Sequence, residues 1–228
     1  MPRKSWSGTA PAEVESGETK RRMALETAAR AFNERGFYKT SLDDIAAELN
    51  VTKAALYYYF RNKDEILYEC HALAIQQITE NPLDDATDRS LTGLEKIERL
   101  VRRYVAMIVQ SFGRCLVLVG TQPLEAKNMA KCRAGRREIN DLLVGLIREG
   151  IADRSIARCD PKLTAYFIFG TLNWIAQWYD DEGERTLDEI ADEVVAYVTG
   201  GLAAERKRHR RQARSSRAGA RRSVRGSR

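Results

Sequence analysis

The chain has 228 residues, of which 43% are hydrophobic and 31% are charged, a composition that fits a globular protein large enough to bury a core. Its net charge of +6 does not by itself indicate a nucleic-acid partner, because 11 basic residues from Arg206 onward account for it and the rest of the chain is net acidic. The 5 prolines and 15 glycines, together with long stretches of 3.6-residue periodicity, predict an all-α fold.

Cysteine and histidine contents argue against a zinc site or a disulfide framework. The 4 cysteines show no C-x-x-C spacing, and the only histidines are His71 and His209. We expect reduced, mostly packed thiols in a cytoplasmic protein that needs no metal and no cofactor. The N-terminus shows no signal peptide. The longest uncharged run, residues 163–179, is too short to span a membrane and contains Asn173 and Gln177.

The chain begins with an aperiodic segment, residues 1–18, that we expect to be a flexible arm. From Thr19 the pattern predicts an amphipathic helix, because apolar residues fall at i, i+3, i+4 and i+7. These residues are Leu25, Ala28, Ala29 and Phe32. Gly36 is predicted to end the helix.

Two short helices are predicted next, separated by the sequence LNV. Ser41 is predicted to cap the first, with Asp44 as its capping-box partner. Its buried stripe comprises Leu42, Ile45, Ala46 and Leu49. Asn50 is predicted to end it, because asparagine adopts the left-handed conformation more readily than most residues. Thr52 is predicted to cap the second helix.

Longer helices are predicted in the rest of the chain. A fourth helix begins at Asn62 with Glu65 as its capping partner, and two apolar stripes follow beyond Pro82. The first comprises Leu94, Ile97, Val101, Tyr104 and Ile108, and the second comprises Ile139, Leu142, Leu143, Leu146 and Ile147, ended by Gly150. Residues 163–179 are apolar on two faces, which requires two packing partners. The last helix is predicted over residues 187–202.

The two short helices have the length, the capping residues and the turn of a helix-turn-helix. With Leu56 and Phe60 on the buried side, Ala54 and Tyr58 point outward, Ala55 and Tyr57 flank them, and Tyr59 lies nearer the core. This arrangement suits a recognition helix, which enters the major groove with its N-terminal residues at the base edges. Lys53 would donate to guanine O6 and N7, and the methyl groups of Ala54 and Ala55 would meet thymine methyl groups.

Phosphate contacts are predicted for the hydroxyl groups of this region, since tyrosine, serine and threonine hydroxyls typically bind phosphate oxygens. Thr40, Ser41 and Lys63 lie at helix N-termini, where free backbone N–H groups favour anions. The alternative is an ordinary helical hairpin with surface tyrosines. We favour DNA binding, because the caps, the turn, the outward tyrosines and Lys63 agree.

The sequence TSLDDIAAELNVTKAALYYYFRNKDEIL, preceded by AARAFNERGFYKT, closely resembles the DNA-binding domain of the TetR family of transcriptional regulators. The resemblance covers Thr19 to about Tyr68. It implies a three-helix DNA-binding domain over residues 19–68, joined through a fourth helix to an all-helical ligand-binding and dimerisation domain over residues 69–203. It also implies DNA contacts at Thr52, Lys53, Ala54, Tyr57, Tyr59 and Lys63. Asn50 stands where the family commonly carries glycine.

The segment FGTLNWIAQWYDDEGERTLDEIADEVVAYVTGGL resembles the last two helices of TetR-like regulators, especially those linked to fatty-acid or sterol catabolism. This resemblance implies a homodimer with a four-helix interface, which suits a palindromic double-stranded operator. Candidate residues for a pocket binding a small hydrophobic effector, such as an acyl group or acyl-CoA, are Tyr104, Met107, Phe112, Phe167, Trp174 and Trp178. The alternative is that these side chains are plain core.

We therefore expect a repressor that a small-molecule effector releases from DNA. The alternative function is a non-regulatory, architectural DNA-binding protein that uses the helix-turn-helix and a basic tail, residues 204–228, which we expect to be disordered. A solvated tail without a dedicated role is the other interpretation of that segment. An enzyme is not expected, because the sequence has no glycine-rich phosphate loop, no metal-spaced ligands and no assignable nucleophile–base set.

Overall fold

The computed structural model describes residues 13–79 and 88–204, and these two stretches are helical, as the sequence predicted. The first four helices are α1 (Glu13–Arg35), α2 (Leu42–Glu48), α3 (Lys53–Tyr59) and α4 (Lys63–Thr79). The remaining helices are α5 (Gly93–Ile108), α6 (Ser111–Leu118), α7 (Ala126–Ala152), α8 (Pro161–Trp178) and α9 (Leu187–Leu202).

Local signals placed the first three helices well. The predicted apolar face of α1 is buried, and Gly36 ends that helix with φ 87°. Ser41 and Asp44 form the predicted capping box of α2. Asn50 adopts φ 58°, the left-handed conformation expected of it. Thr52 caps α3 by accepting a hydrogen bond from the backbone of Ala55.

One predicted boundary needs correction. α1 begins at Glu13, six residues before Thr19, so the second part of the predicted arm is helical. α4 extends from Lys63 to Thr79, as expected of a helix that joins the two parts of the chain. Asn62 caps α4 as predicted, whereas Glu65 accepts from the backbone N–H of Arg61 instead of Asn62. Residues 1–12 and the predicted basic tail after residue 204 lie outside the described residues.

The second part of the chain is built around α5, which packs against α7, α8 and α9. Its predicted stripe is buried, as is most of the predicted stripe of α7, although α7 continues past Gly150 to Ala152. α4 joins the two parts by packing against α1 on one side and against α6 and α7 on the other. None of the described helices is both long enough and apolar enough to cross a bilayer.

Two glycines allow α5 and α7 to cross closely. A Cβ atom at Gly93 would lie 2.2 Å from the backbone nitrogen of Gly150, a distance that no side chain tolerates. The same crossing is tied by Asp153, which accepts from the backbone N–H of Gly93 at 2.7 Å. The chain that follows α7 then pairs with the end of α9, where the backbone N–H of Ala157 donates to the carbonyl of Leu202 at 2.8 Å. The ends of α5, α7 and α9 therefore meet at one place.

The predicted two-faced character of α8 is confirmed. Ile168, Leu172 and Ile175 are buried against the rest of the chain. The opposite face is exposed and carries Leu163, Tyr166, Phe167, Trp174 and Trp178. Because no other part of the described chain covers these side chains, α8 has only one of the two partners that its sequence requires.

Candidate nucleic-acid interface

The turn between α2 and α3 fixes how α3 is presented. At the end of α2 the backbone N–H of Asn50 donates to the carbonyl of Ala47, and that of Val51 donates to the carbonyl of Ala46, both at 3.0 Å. The left-handed Asn50 then reverses the chain within three residues. Leu56 on the inner side of α3 is fully buried, which leaves the outer side of this helix facing away from the body.

The outer face of α3 has the side chains that the sequence analysis assigned to it. Tyr58 is 83% exposed and Tyr57 is 46% exposed. Ala54 is exposed and Ala55 is half-buried, so the backbone can approach a partner closely at these positions. Tyr59 is half-buried and its ring meets that of Tyr58 edge-on at 5.0 Å. The orientation predicted for the three tyrosines is therefore confirmed, whereas their contacts with DNA remain predictions.

Lys53, the first residue of α3, is bound to a carboxylate that the sequence analysis did not select. Its Nζ atom lies 2.8 Å from Oδ2 of Asp43 in α2 and 5.9 Å from the ring centroid of Tyr57. The hydrogen bond that Lys53 donates to Asp43 raises the pKa of Lys53, so this side chain remains charged. The predicted base-reading residue is thus held in one place before any DNA is present.

Thr40 does not belong to the exposed surface, which corrects its prediction as a DNA contact. Its side chain is 1% exposed, and its hydroxyl donates to the carbonyl of Gly36 at 2.9 Å. A second acceptor, the carbonyl of Ala31, lies 3.3 Å away. The hydroxyl therefore satisfies the end of α1, where carbonyl groups lack helical partners.

The ammonium group of Lys63 also has a structural role. It donates to the carbonyls of Phe37 at 2.6 Å and Thr40 at 2.8 Å, and it lies 4.2 Å from the centroid of the Phe37 ring. Burial lowers the pKa of Lys63. A phosphate contact by Lys63 remains a prediction, but the ammonium would have to share or leave these carbonyl groups to make it.

Ser41 and Thr52 are exposed, and each hydroxyl caps a helix. The Ser41 hydroxyl accepts from the backbone N–H of Asp44 at 3.1 Å and donates to its carboxylate at 2.7 Å. That hydrogen bond, together with one from the Ser41 backbone, lowers the pKa of Asp44. The Thr52 hydroxyl accepts from the backbone of Ala55 at 3.2 Å and retains its own proton for a phosphate oxygen.

Sequence reasoning missed two residues beside this surface. Tyr38 is 79% exposed in the α1–α2 turn, and the neighbouring Lys39 is also exposed. Tyr38 directly follows the buried Phe37, and two adjacent aromatic side chains in a turn do not both enter the core. This adjacency could have indicated that Tyr38 is exposed. Tyr38 and Lys39 extend the hydroxyl and cationic groups of the candidate surface beyond α3.

The six candidate pocket residues fall into two groups. Tyr104, Met107 and Phe112 are buried, and the Tyr104 hydroxyl donates to the side chain of Asn173 at 2.7 Å. Burial raises the pKa of Tyr104 to about 12. The other three residues are at least half exposed on α8, so the prediction that they face an interior pocket is wrong for Phe167, Trp174 and Trp178.

Two connected grooves lie elsewhere, between α4 and α7. One, of about 300 Å³, is lined mainly by charged side chains, and the other, of about 190 Å³, is more apolar. They share Tyr68 and Lys131, whose Nζ atom lies 5.0 Å from the centroid of the Tyr68 ring. None of the six candidate residues lines either groove.

A buried histidine lies in the interior of the larger part, which comprises α4 and the helices that follow it. His71 is fully buried, and its Nε2 atom lies 3.3 Å from the carbonyl of Cys115. Its Nδ1 atom has no hydrogen-bond partner among residues 13–79 and 88–204. Cys70, Cys115 and Cys132 are buried free thiols as expected, whereas Cys159 is exposed. No group of three or more side chains suited to a metal occurs in the described stretches.

Two family descriptions match this chain over most of its length. Residues 24–70 match bacterial regulatory proteins of the tetR family, and residues 90–202 match the tetracyclin repressor-like, C-terminal domain. The first match contains α2, α3 and the turn between them. The second begins just before α5 and ends with α9.

Individual relatives resemble this chain over most of its length. The HTH-type transcriptional repressor KstR2 of Mycolicibacterium smegmatis is 26% identical, over 85% of this chain and 95% of the relative. The fatty acid metabolism regulator protein of Bacillus subtilis is 22% identical, over 78% of this chain and 93% of the relative. A crystal structure of AibR in complex with isovaleryl coenzyme A and operator DNA is 27% identical with a TM-score of 0.70, over 78% of this chain and 97% of AibR.

Proposed function

Because this chain belongs to the TetR family of DNA-binding transcriptional regulators, we propose that it is a repressor that binds a palindromic operator as a homodimer and is released by a small hydrophobic effector. The observation that carries DNA recognition is the outward face of α3, with Lys53, the two alanines and the exposed tyrosines around a capped turn. Such a face suits the major groove, where an N-terminal lysine meets base edges and hydroxyl groups meet phosphates.

The uncovered face of α8 supports the homodimer. Trp174 is 66% exposed and Phe167 is 68% exposed, and Tyr197 of α9 is 73% exposed. A large contiguous apolar patch on a protein surface typically marks an interaction site. A second copy that covered α8 and α9 would supply the missing partner of α8. It would also place two α3 helices on half-sites about one helical turn, roughly 34 Å, apart.

The interior of the larger part supports an effector site. An unpaired buried polar atom is costly, and a ligand group that bonds to Nδ1 of His71 would remove that cost. The surrounding elements are largely apolar, since α4, α5 and α6 all contribute fully buried aliphatic residues there. AibR was crystallised with isovaleryl coenzyme A and another relative is named for fatty acid metabolism, so an acyl or acyl-CoA effector is the first class to test.

Release requires that the effector bind one conformation more tightly than the other, because a ligand shifts an equilibrium only by its difference in affinity. α4 is the element through which such a shift would reach α3. It packs against α1 and also against α6 and α7. A change in the packing of α6 or α7 would therefore tilt the two recognition helices relative to their half-sites.

The test is a binding titration on DNA that flanks the gene for this protein, followed by competition with acyl-CoA thioesters of increasing chain length. Coenzyme A without an acyl group is the matched control, since it carries the same nucleotide and phosphates. Specific retention, followed by release with an acyl thioester but not with coenzyme A, would support the proposal. Selection from random duplexes tests the architectural alternative, which predicts that no palindrome is enriched.

A further inference from the structure

The first turn of α3 and the first turn of α2 meet through an ion pair on the candidate DNA surface. Nζ of Lys53 lies 2.8 Å from Oδ2 of Asp43, and their side chains are 52% and 61% exposed. Asp43 is therefore an acidic group placed on a surface that is otherwise suited to phosphates. Its position calls for a functional explanation, because a carboxylate there repels the DNA backbone.

Stability does not supply that explanation. An ion pair between two side chains that are each more than half exposed contributes little to folding, since water screens the charges and the two side chains lose rotamer freedom. Asp43 also makes no capping hydrogen bond at α2, because that role belongs to Ser41 and Asp44, and as an exposed acid in the first turn it adds only a small favourable interaction with the helix dipole. What the pair does provide is orientation, as Asp43 restricts where the ammonium group of a long, flexible lysine can lie.

The pair matches the edge of one base pair in the major groove. Guanine presents O6 and N7 as acceptors there, and cytosine presents its N4 amino group as a donor. O6 and N4 bond to each other within the base pair, so they lie about 2.9 Å apart, close to the spacing between Lys53 and Asp43. Lysine has three N–H donors and uses one of them for Asp43, and the carboxylate keeps further lone pairs for an amino group.

We propose that Asp43 and Lys53 act as one unit that reads a G·C base pair, with Lys53 donating to guanine and Asp43 accepting from the N4 amino group of the paired cytosine. This inference rests on the proposed function, since it requires that α3 enter the major groove. It adds a residue of α2 to base recognition and sets the orientation of the base pair. The reversed C·G pair would place an amino group against the ammonium and an acceptor against the carboxylate.

The experiment is selection from random duplexes followed by titration of the selected site and its single-base variants, using full-length protein. The variants are Asp43→Asn, Lys53→Ala and the double variant. Glu48→Gln is the matched control, because Glu48 lies on the same helix and loses the same charge but pairs with Arg35 instead of Lys53. All three positions are exposed, and thermal unfolding verifies that each variant is folded.

Wild-type protein should prefer G·C at one position of each half-site by about tenfold or more. Asp43→Asn should reduce that preference to less than about threefold while binding to random DNA stays equal or tightens. The double variant should lose no more discrimination than either single variant, as expected for residues that act together.

Three results separate the possible failures. If Asp43→Asn tightens binding to all duplexes as Glu48→Gln does and leaves the preferred base unchanged, the carboxylate is only a repulsive charge and the inference is overturned. If Lys53→Ala removes the base preference but Asp43→Asn does not, Lys53 reads the base without Asp43, which also overturns the inference. If the wild-type protein enriches no palindrome, the proposed function itself has failed.

Discussion

Lys63 and Asp64 are consecutive residues at the start of α4, yet their side chains bind opposite parts of the molecule. Lys63 donates to two carbonyls of the α1–α2 turn, whereas Asp64 accepts from the backbone N–H of Glu125 and the amide of Asn128, each at 2.5 Å. A single turn of helix therefore holds the DNA-binding part on one side and the start of α7 on the other. Displacement of α7 would reach the recognition helix through this turn.

Asp64→Ala should weaken the link to α7. The variant loses two hydrogen bonds at a partly exposed site, so we expect the free energy of unfolding to fall by about 1–2 kcal/mol. We also expect the acyl thioester that releases the wild-type protein to cause a smaller loss of operator affinity. Urea unfolding and operator titrations with and without the thioester measure both effects. An unchanged effector response would show that Asp64 contributes only to stability.

Lys63→Met should destabilise the DNA-binding part. Methionine retains most of the apolar stem but leaves the carbonyls of Phe37 and Thr40 without their donor, which typically costs about 1–3 kcal/mol. The control is Lys39→Met, which removes the same charge from an exposed side chain and should change stability by less than about 0.5 kcal/mol. If Lys63→Met is as stable as the wild-type protein and yet loses operator affinity, Lys63 serves DNA and not the fold.

Tyr57→Phe and Tyr58→Phe should each weaken DNA binding about fivefold, because one hydroxyl–phosphate hydrogen bond is worth about 1 kcal/mol. The loss should be similar for operator and random duplexes, since phosphate contacts carry no sequence information. A loss confined to the operator would instead assign base contacts to these tyrosines.

Trp174→Glu should abolish the homodimer without unfolding the chain, because it places a charge in the centre of the exposed face of α8. Loss of the linked second half-site should weaken operator binding by at least about 100-fold. Sedimentation and operator titration measure the two consequences. Arg137→Glu, a charge change on the exposed surface of α7, should leave the protein dimeric, and a dimeric Trp174→Glu protein would place the interface elsewhere.

Gly93→Ala should be strongly destabilising. The new Cβ atom would lie 2.2 Å from the backbone of α7, and neither helix can yield without breaking its other contacts, so a loss of about 1–3 kcal/mol or more is expected. Gly145→Ala in α7 meets nothing within 4 Å and should instead stabilise the helix by about 0.5–1 kcal/mol. If chemical unfolding shows that Gly93→Ala lowers the free energy of unfolding and Gly145→Ala raises it, the close crossing is confirmed. Equal changes in the two variants would argue against it.

Local chemistry explains what could be predicted from the sequence. Caps and turns depend on residues within a few positions of one another, so Ser41, Asn50 and Thr52 took their expected roles. The amphipathic stripes likewise identified the buried faces of α1 and α5. The same helical periodicity predicted that Tyr58 and Tyr57 lie on the outer side of α3 and Tyr59 nearer the core.

Contacts between distant segments explain what could not be predicted. Thr40 is buried because its hydroxyl closes the end of α1, and Lys63 turns toward a loop 23 residues or more away in sequence. Neither contact follows from a regular spacing of residues along the chain. On α8 the periodicity separated two apolar faces correctly, but it could not indicate which one packs against α5 and α7 and which one remains exposed.

The pairing of Ile156 with Ala203 determines where the basic tail leaves the folded body. Ile156 packs against Gly150, and α7 begins beside Asp64, so the exit lies about 36 Å along α7 from Ala126, at the rise of 1.5 Å per residue. This separation is several times the screening length of about 8 Å at physiological ionic strength. A charge fixed at Ala204, the last described residue, would therefore be screened from a duplex held at α3.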